Sequence, residues 1–311
     1  MSQLLSMEAI SPGIEFKSRQ ERTNVLQRFA SALLASRTGT LGFAIVLAVI
    51  VIALFASVIA PYDPGSQELS RSLSPPAWLG GPPGALLGTD NLGRDIFSRI
   101  VYGSRVSLIV GLSAVAIAGT LGFVLGLLAG YYRGWVDSLI MRVADFQLSV
   151  PFIVLAIAVL GIIGPSLPNL ILVLGITSWV SYARVVRSEV LSLRESEFVV
   201  AAHSIGASGL RIIWFHIRPN VMASAVILGS LEVARMIISE AALSFLGLGI
   251  PPSTPSWGGM VADGRNYLDS AWWIAAFPGT AIVITVLGIN LLGDWLRDTL
   301  DPRLRHNRRI A

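Results

Sequence analysis

Long uncharged apolar runs alternate with short polar segments along the whole chain. Residues 41–60 read LGFAIVLAVIVIALFASVIA without one charge. About 20 such residues suffice to cross a bilayer core of about 30 Å as an α-helix. Further runs cover roughly residues 106–131, 143–163, 167–186, 220–248 and 272–292. Together they predict an all-α integral membrane protein with six transmembrane helices. A β-barrel would show segments of about 10 residues with alternating polarity instead. The third run contains Asp145 and Pro151, and the fifth contains Glu232, Arg235 and Glu240. The first run begins 40 residues into the chain and exceeds the 7–15 residues of a signal-peptide core, so it reads as a retained anchor.

Composition supports this reading. Of 311 residues, 53% are hydrophobic and 14% charged, against about 25% charged in soluble domains. The mean hydropathy of +0.69 agrees. There is no cysteine, which excludes disulfide scaffolds, thiol nucleophiles and thiolate-held metals. The net charge of +4 and pI near 9.8 resemble those of a nucleic-acid binder. The basic residues, however, lie between the apolar runs and form no continuous stripe. In a membrane protein they report topology. With the N-terminus inside, 17 of the 23 Lys and Arg residues fall on the cytoplasmic side and five outside, with Arg235 within a span. Both termini are then cytoplasmic. Residues 61–105 form a long outer connection and 187–219 a long inner one. The chain divides into a cytoplasmic segment 1–37, with a short amphipathic helix near 24–36 that could lie on the inner leaflet; a transmembrane domain 38–300; and a cytoplasmic tail 301–311.

The inner connection is too patterned for a linker. It reads RSEVLSLRESEFVVAAHSIGASGLRIIWFHIRPN from Arg187 to Asn220. Apolar residues recur at helical spacing around Phe198 and again at 210–217, while Gly206 and Gly209 interrupt them. This predicts two short helices joined at a glycine turn, with Pro219 and Asn220 marking entry to the fifth span. Gly206 suits a positive φ. The small Ala201, Ala202 and Gly206 would let another backbone approach closely. An interfacial helix lying on lipid is the plainer alternative.

This segment resembles the cytoplasmic signature of ABC importer permeases, Glu-Ala-Ala, three residues, Gly, about nine residues, then Ile-x-Leu-Pro. Ala201, Ala202, Gly206, Ile217 and Pro219 match it. Val200 stands at the glutamate position and Arg218 at the leucine. The string FVVAAHSIGAS with HIRPN is similar to the dipeptide/oligopeptide/nickel subgroup, in which the glutamate is commonly absent. Residues 88–99, GTDNLGRDIFSR, resemble the opening motif of the same subgroup through Gly88, Thr89, Asp90, Gly93, Arg94, Asp95, Ser98 and Arg99. The stretches SEAALSFLGLG, PSWGGM, FPG and LGDWLRDTLDPRL resemble it too, so that the likeness covers roughly residues 38–305.

The resemblance implies a type I ABC importer permease fold in a bacterial cytoplasmic (inner) membrane. It also implies that Ala201, Ala202, Gly206, Ala207 and Ser208 couple the chain to an ATP-binding subunit. The implied partners are a second homologous permease, two ATP-binding subunits and an extracytoplasmic solute-binding protein, besides the lipid itself; nucleic acid is not among them. The implied cargo is a dipeptide or oligopeptide, with nickel or glutathione as alternatives within the family.

The residues themselves fit a non-catalytic subunit. No GxxxxGK[ST] loop occurs, so this chain cannot power transport by itself; the resemblance implies that ATP and Mg²⁺ sit on partner subunits and that this chain carries no cofactor of its own. Serine lacks the GxSxG elbow context, and Asp145 has no evident aspartate partner for intramembrane proteolysis. His203, His216 and His306 are placed for packing or surface roles rather than for a metal site. In the outer motif, Gly88 and Gly93 suit turns, while Asp90 and Asp95 suit helix caps or pairs with Arg94 and Arg99. That motif is either a structural plug or a contact for substrate or binding protein. Glu232 and Arg235 share a helical face at i, i+3, whereas Glu240 lacks a sequence-local partner. The three line the translocation path or lock the bundle. A stand-alone secondary carrier or channel is the other transport reading, although no internal repeat supports it.

Overall fold

The computed structural model describes residues 25–300. The tail with His306, the basic residues Lys17, Arg19 and Arg22, and most of the N-terminal segment lie outside the described residues. Helix α1 (Val25–Ala35) agrees with the short helix expected near 24–36. It is followed by α2 (Arg37–Leu54) and a single turn α3 (Ala56–Ile59). The outer connection then leads into α4 (Ile96–Tyr132), α5 (Gly134–Leu148), α6 (Phe152–Ile163) and α7 (Leu167–Leu193). The inner connection holds α8 (Glu197–Ser204) and α9 (Gly209–Ile212). Then come α10 (Arg218–Phe245), α11 (Trp257–Gly264) and α12 (Trp273–Leu300). Among the described residues there are no strands beyond one isolated bridge between Thr89 and Asp95.

Five helical stretches are long and apolar enough to span a membrane: α2, α4, α7, the stretch from α9 through α10, and α12. Helices α5 and α6, bent by 86° at their junction, bring the number of spans to six when the pair is counted as one. The third run expected over 143–163 therefore falls on two helices, with the break at its Pro151. Pro151 immediately precedes α6, where its fixed φ and missing N–H are tolerated, and its neighbour is steered away from helical backbone. The α5 side of the break is polar: Arg187 grips Asp137 through two bonds of 2.5 and 2.6 Å, and Arg184 meets Asp145 at 2.6 Å.

Two other boundaries differ from expectation. Helix α4 begins at Ile96, inside the outer connection, because Asp95 caps it by accepting from the Ser98 N–H at 2.8 Å. The fifth crossing starts at Gly209 rather than near 220. A π-helical turn at Ile213–Ile217 joins α9 to α10, so Pro219 extends an existing helix instead of opening one. The wider turn removes the demand for the i→i−4 bond that proline cannot donate.

Lipid gives helices no hydrophobic reason to associate, so close backbone packing must. Ala114, Ala118, Gly122, Gly126 and Gly130 recur every four residues on α4 and are all buried. They face α7, the most extensive helix pairing in the protein. A methyl group at Gly122 would lie 2.3 Å from the Trp179 carbonyl oxygen, and one at Gly126 would lie 2.7 Å from that of Ala183. The same device joins α2 to α12, where a methyl at Gly288 would meet Ile45 at 2.5 Å. Helix α10 packs against α4, α12 and α7 in turn.

Candidate functional site

At the outer end, the 88–99 motif folds into a tight knot. Gly88 and Gly93 adopt φ of 82° and 74°, and a Cβ at Gly93 would collide with the Glu68 carbonyl at 1.9 Å. Thr89 donates its hydroxyl to the Arg71 carbonyl, and the Thr89 carbonyl accepts from Trp273 Nε1 at 3.2 Å. Asp90 Oδ1 accepts from the backbone N–H groups of Leu92 and Arg94, both at 2.9 Å. Its Oδ2 lies 2.6 Å from Arg94 Nε and 3.6 Å from Arg99 Nε. Asp263 of α11 approaches the same two guanidiniums at 3.7 and 3.9 Å. Arg94 also donates to the Pro252 carbonyl at 3.3 Å, and Arg99 to that of Pro64 at 3.4 Å.

Side chains of Asp90, Arg94 and Arg99 are no more than 5% exposed. The cluster thus ties the outer connection, α4, the 246–256 loop and α11 together, and its arginines are consumed by internal bonds. Asp95 caps α4 and does not join the pairing. Asp263 was not singled out from the sequence, where it appears only as one acid in a loop. Burial pushes its carboxyl above the ordinary carboxylate range, and the two arginines offset that only in part because neither reaches hydrogen-bond distance. Beside it opens a cleft of about 530 Å³ lined by Arg99, Phe245, Asp263, Arg265 and Tyr267.

In the middle of the bundle, Arg235 Nη1 lies 3.0 Å from Glu232 Oε1. The two ends of this pair differ sharply in setting: the Glu232 side chain is 7% exposed and that of Arg235 is 52% exposed. Glu232 points into the bundle, where its Oε2 and the Tyr182 hydroxyl are both buried without a hydrogen-bond partner. Glu240 is wholly buried. It does have a sequence-local partner, contrary to expectation: Ser244, four residues on, donates to its Oε1 at 2.7 Å. At 100° per residue, Glu240 stands about 140° round the helix from Arg235. It lies on the side where α11 packs, with Gly258 against Ala241. The structure brings Glu232 and Arg235 together and separates Glu240 from them.

At the inner end, α8 closes on a Schellman motif. Gly206, at φ 81°, donates its N–H to the His203 carbonyl at 3.0 Å, and Ala207 donates to the Ala202 carbonyl at 3.1 Å. Nothing lies within 4 Å of a Cβ built at Gly206, so within this chain it is backbone conformation that selects glycine, not space. Ala202 and Val199 are buried against Ile212 and Val186, which fixes α8 to the ends of α7 and α9. Ala201, Gly206 and Ser208 are exposed, and Ala207 is half-buried. Around them Ile205, Leu210 and Phe215 are 86%, 69% and 69% exposed, so that this end of the chain presents a knob with large apolar side chains. Arg194 braces its base, donating to the Tyr131 carbonyl at 2.7 Å. His203 is exposed and His216 half-buried, and the described residues hold no group of three metal-ligating side chains.

A packed outer knot, a charged pair within a span and an exposed inner turn on a bundle of apolar helices describe a polytopic membrane protein. Residues 122–306 match the family model of the binding-protein-dependent transport system inner membrane component, and the chain belongs to that family of inner-membrane, multi-pass proteins. Residues 24–76 match a second model, the N-terminal TM domain of oligopeptide transport permease C. The chain is 44% identical over 266 residues to a di/tripeptide transport system permease protein of Pseudomonas aeruginosa, covering 85% of this chain and 88% of that one. It is 42% identical over 306 residues to a dipeptide transport system permease protein of Escherichia coli K12, covering 98% and 100%. Its fold matches a chain of the inward-facing MetNI methionine ABC transporter with a TM-score of 0.54 at 18% identity, over 65% of this chain and 96% of that one.

Proposed function

We propose that this chain forms half of the translocation path of an ATP-driven importer for di- and oligopeptides. Support for the peptide comes from relatives named for dipeptide transport that align along nearly the full length. The carrying observation for ATP coupling is the α8 knob. Its apolar surface is exposed and its turn is locked by the Gly206 cap, yet its base is buried against α7 and α9. A patch of that kind calls for a protein partner, and a rigid base passes a push on it to the spanning helices.

In this reading two ATP-binding subunits dock under Ala201, Ala202, Gly206, Ala207 and Ser208 and carry the ATP and Mg²⁺. A second, homologous permease completes the path, and a solute-binding protein delivers cargo from outside. Both termini are cytoplasmic. Closing of the ATP-bound subunits favours the outward-open state, and hydrolysis returns the inward-open one, because each ligand prefers one state. The outer knot of Gly88, Thr89, Asp90, Gly93, Arg94, Asp95 and Arg99 serves as a structural plug, since its charges are spent internally. Glu240 serves as a bundle lock.

The test is recovery of the tagged chain in mild detergent, identification of each co-purifying subunit, and peptide uptake by the complex in proteoliposomes with its binding protein. A second permease, ATP-binding subunits and ATP-dependent peptide uptake are expected. A chain recovered alone after crosslinking in intact membranes would instead support a secondary carrier.

A further inference from the structure

We propose that Arg235 is an anion subsite inside the path, where its guanidinium binds the carboxylate end of the transported solute. The inference rests on the importer reading above and deepens it.

The first observation is depth. Arg235 stands ten residues before Phe245, the end of its helix, about 15 Å along the axis at 1.5 Å per residue and well inside the apolar span. An arginine at that depth does not face hydrocarbon; it faces protein or a water-filled cavity. Yet its side chain is 52% exposed on the surface of this chain.

The second observation is continuity. Arg235, Ile238, Ala242 and Phe245 follow one another at spacings of three and four along α10, and each is exposed or half-buried. This open stripe ends at Phe245, which lines the outer cleft of about 530 Å³. One accessible face therefore runs from an outer opening to a cation within the span. At its outer end the Arg265 guanidinium lies 5.3 Å from the Phe245 ring; between there and Arg235 the stripe residues carry no charge.

The third observation is the setting of the cation. Glu232 is buried behind Arg235 and holds it through a single bond from Nη1. A guanidinium carries five donors in a planar fork suited to a carboxylate, so the exposed edge can accept a second acid while Glu232 retains the first. Glu232 also tempers the site. A transport subsite must bind well enough to admit its cargo and weakly enough to release it, and a resident carboxylate competing for the same guanidinium does that. A peptide with a free C-terminus supplies the matching anion.

The experiment uses the complete importer in lipid nanodiscs, with a benzophenone amino acid replacing Ile238, one turn from Arg235. A radiolabelled dipeptide and its C-terminal amide are each offered at millimolar concentration without binding protein, so that the path itself chooses. A charge-assisted hydrogen bond is worth about 1.5–3 kcal/mol, so labelling by the free acid should exceed that by the amide about tenfold or more. Arg235→Gln should bring the acid down to the amide's level, and Arg235→Lys should retain part of the preference. Equal labelling by acid and amide with Arg235 intact overturns the proposal, and that comparison needs no assembly-competent variant. Labelling of the partner permease with none of either peptide overturns it too, since the stripe would then be a packed subunit contact. If the unsubstituted complex, reconstituted in proteoliposomes with its binding protein, takes up no peptide, the importer reading itself fails, an outcome seen independently of the acid–amide ratio.

Discussion

The Ala207 N–H donates to the Ala202 carbonyl at 3.1 Å and so closes α8 around a left-handed Gly206. A residue with a side chain pays roughly 1–2 kcal/mol for that conformation, and asparagine pays less than most. Gly206→Val should therefore loosen the knob and lower peptide uptake per ATP hydrolysed severalfold, with the protein still in the membrane. Gly206→Asn should stay close to wild type if conformation alone matters. Equal damage from both would show that a partner's backbone needs the space. Gly206→Asp, which adds charge to bulk, should uncouple ATP hydrolysis from uptake; normal values for both in the reconstituted complex would count against docking at this turn.

Asp90 is the hub of the outer knot. Asp90→Leu would leave Arg94 and Arg99 buried beside only the more distant Asp263. Breaking a buried pair from one side costs about 3–5 kcal/mol, so the variant should accumulate poorly and lose its outer-loop protection from protease. Wild-type yield and protease resistance would remove the plug assignment.

Asp263 carries a pH signature. Its folded-state pKa lies above its unfolded value through burial, so folding favours its protonated form. The stability it contributes is present in full below the ordinary carboxylate range and is lost as pH rises through the raised value. Asp263→Asn should flatten that part of the curve of thermal midpoint against pH. An unchanged slope would mean that the carboxyl is not held this way.

The α4–α7 seam tolerates no bulk. Gly126→Val would drive a side chain into the Ala183 carbonyl and Val186. Overpacking of this kind costs about 1–3 kcal/mol or more where backbone must move. The thermal midpoint of the purified complex should fall, while a valine at Gly161, which has open space around it, should leave it nearly unchanged.

Five of the expected spans and the inner helix–turn segment were legible because hydropathy and glycine placement are local signals. The 86° break at Pro151 was not, since an apolar run looks the same whether straight or bent, and only the charged partners on α7 reveal where α5 lies. Pro219 misled for the opposite reason: a π-helical turn absorbed the residue that normally opens a helix. The Glu232–Arg235 pair followed from i, i+3 spacing, but the outward turn of Arg235 and the remote placement of Glu240 depend on which helices pack around α10. The part of Asp263 depends on a contact across more than 160 residues of chain. The small-residue ladder on α4 was present as Ala114, Ala118, Gly122, Gly126 and Gly130 at a strict spacing of four, the signal that would have paired α4 with a close neighbour.

The central claim is that the α8 turn meets an ATP-binding subunit, and because the chain has no cysteine, one introduced thiol tests it cleanly. With Ala201→Cys carrying a short photoactivatable crosslinker in intact membranes, mass spectrometry of the adduct should identify a Walker-A protein, while the same probe at Trp78→Cys in the outer connection should not. Adducts at Ala201→Cys only with lipid, or only with a second permease, would contradict the account.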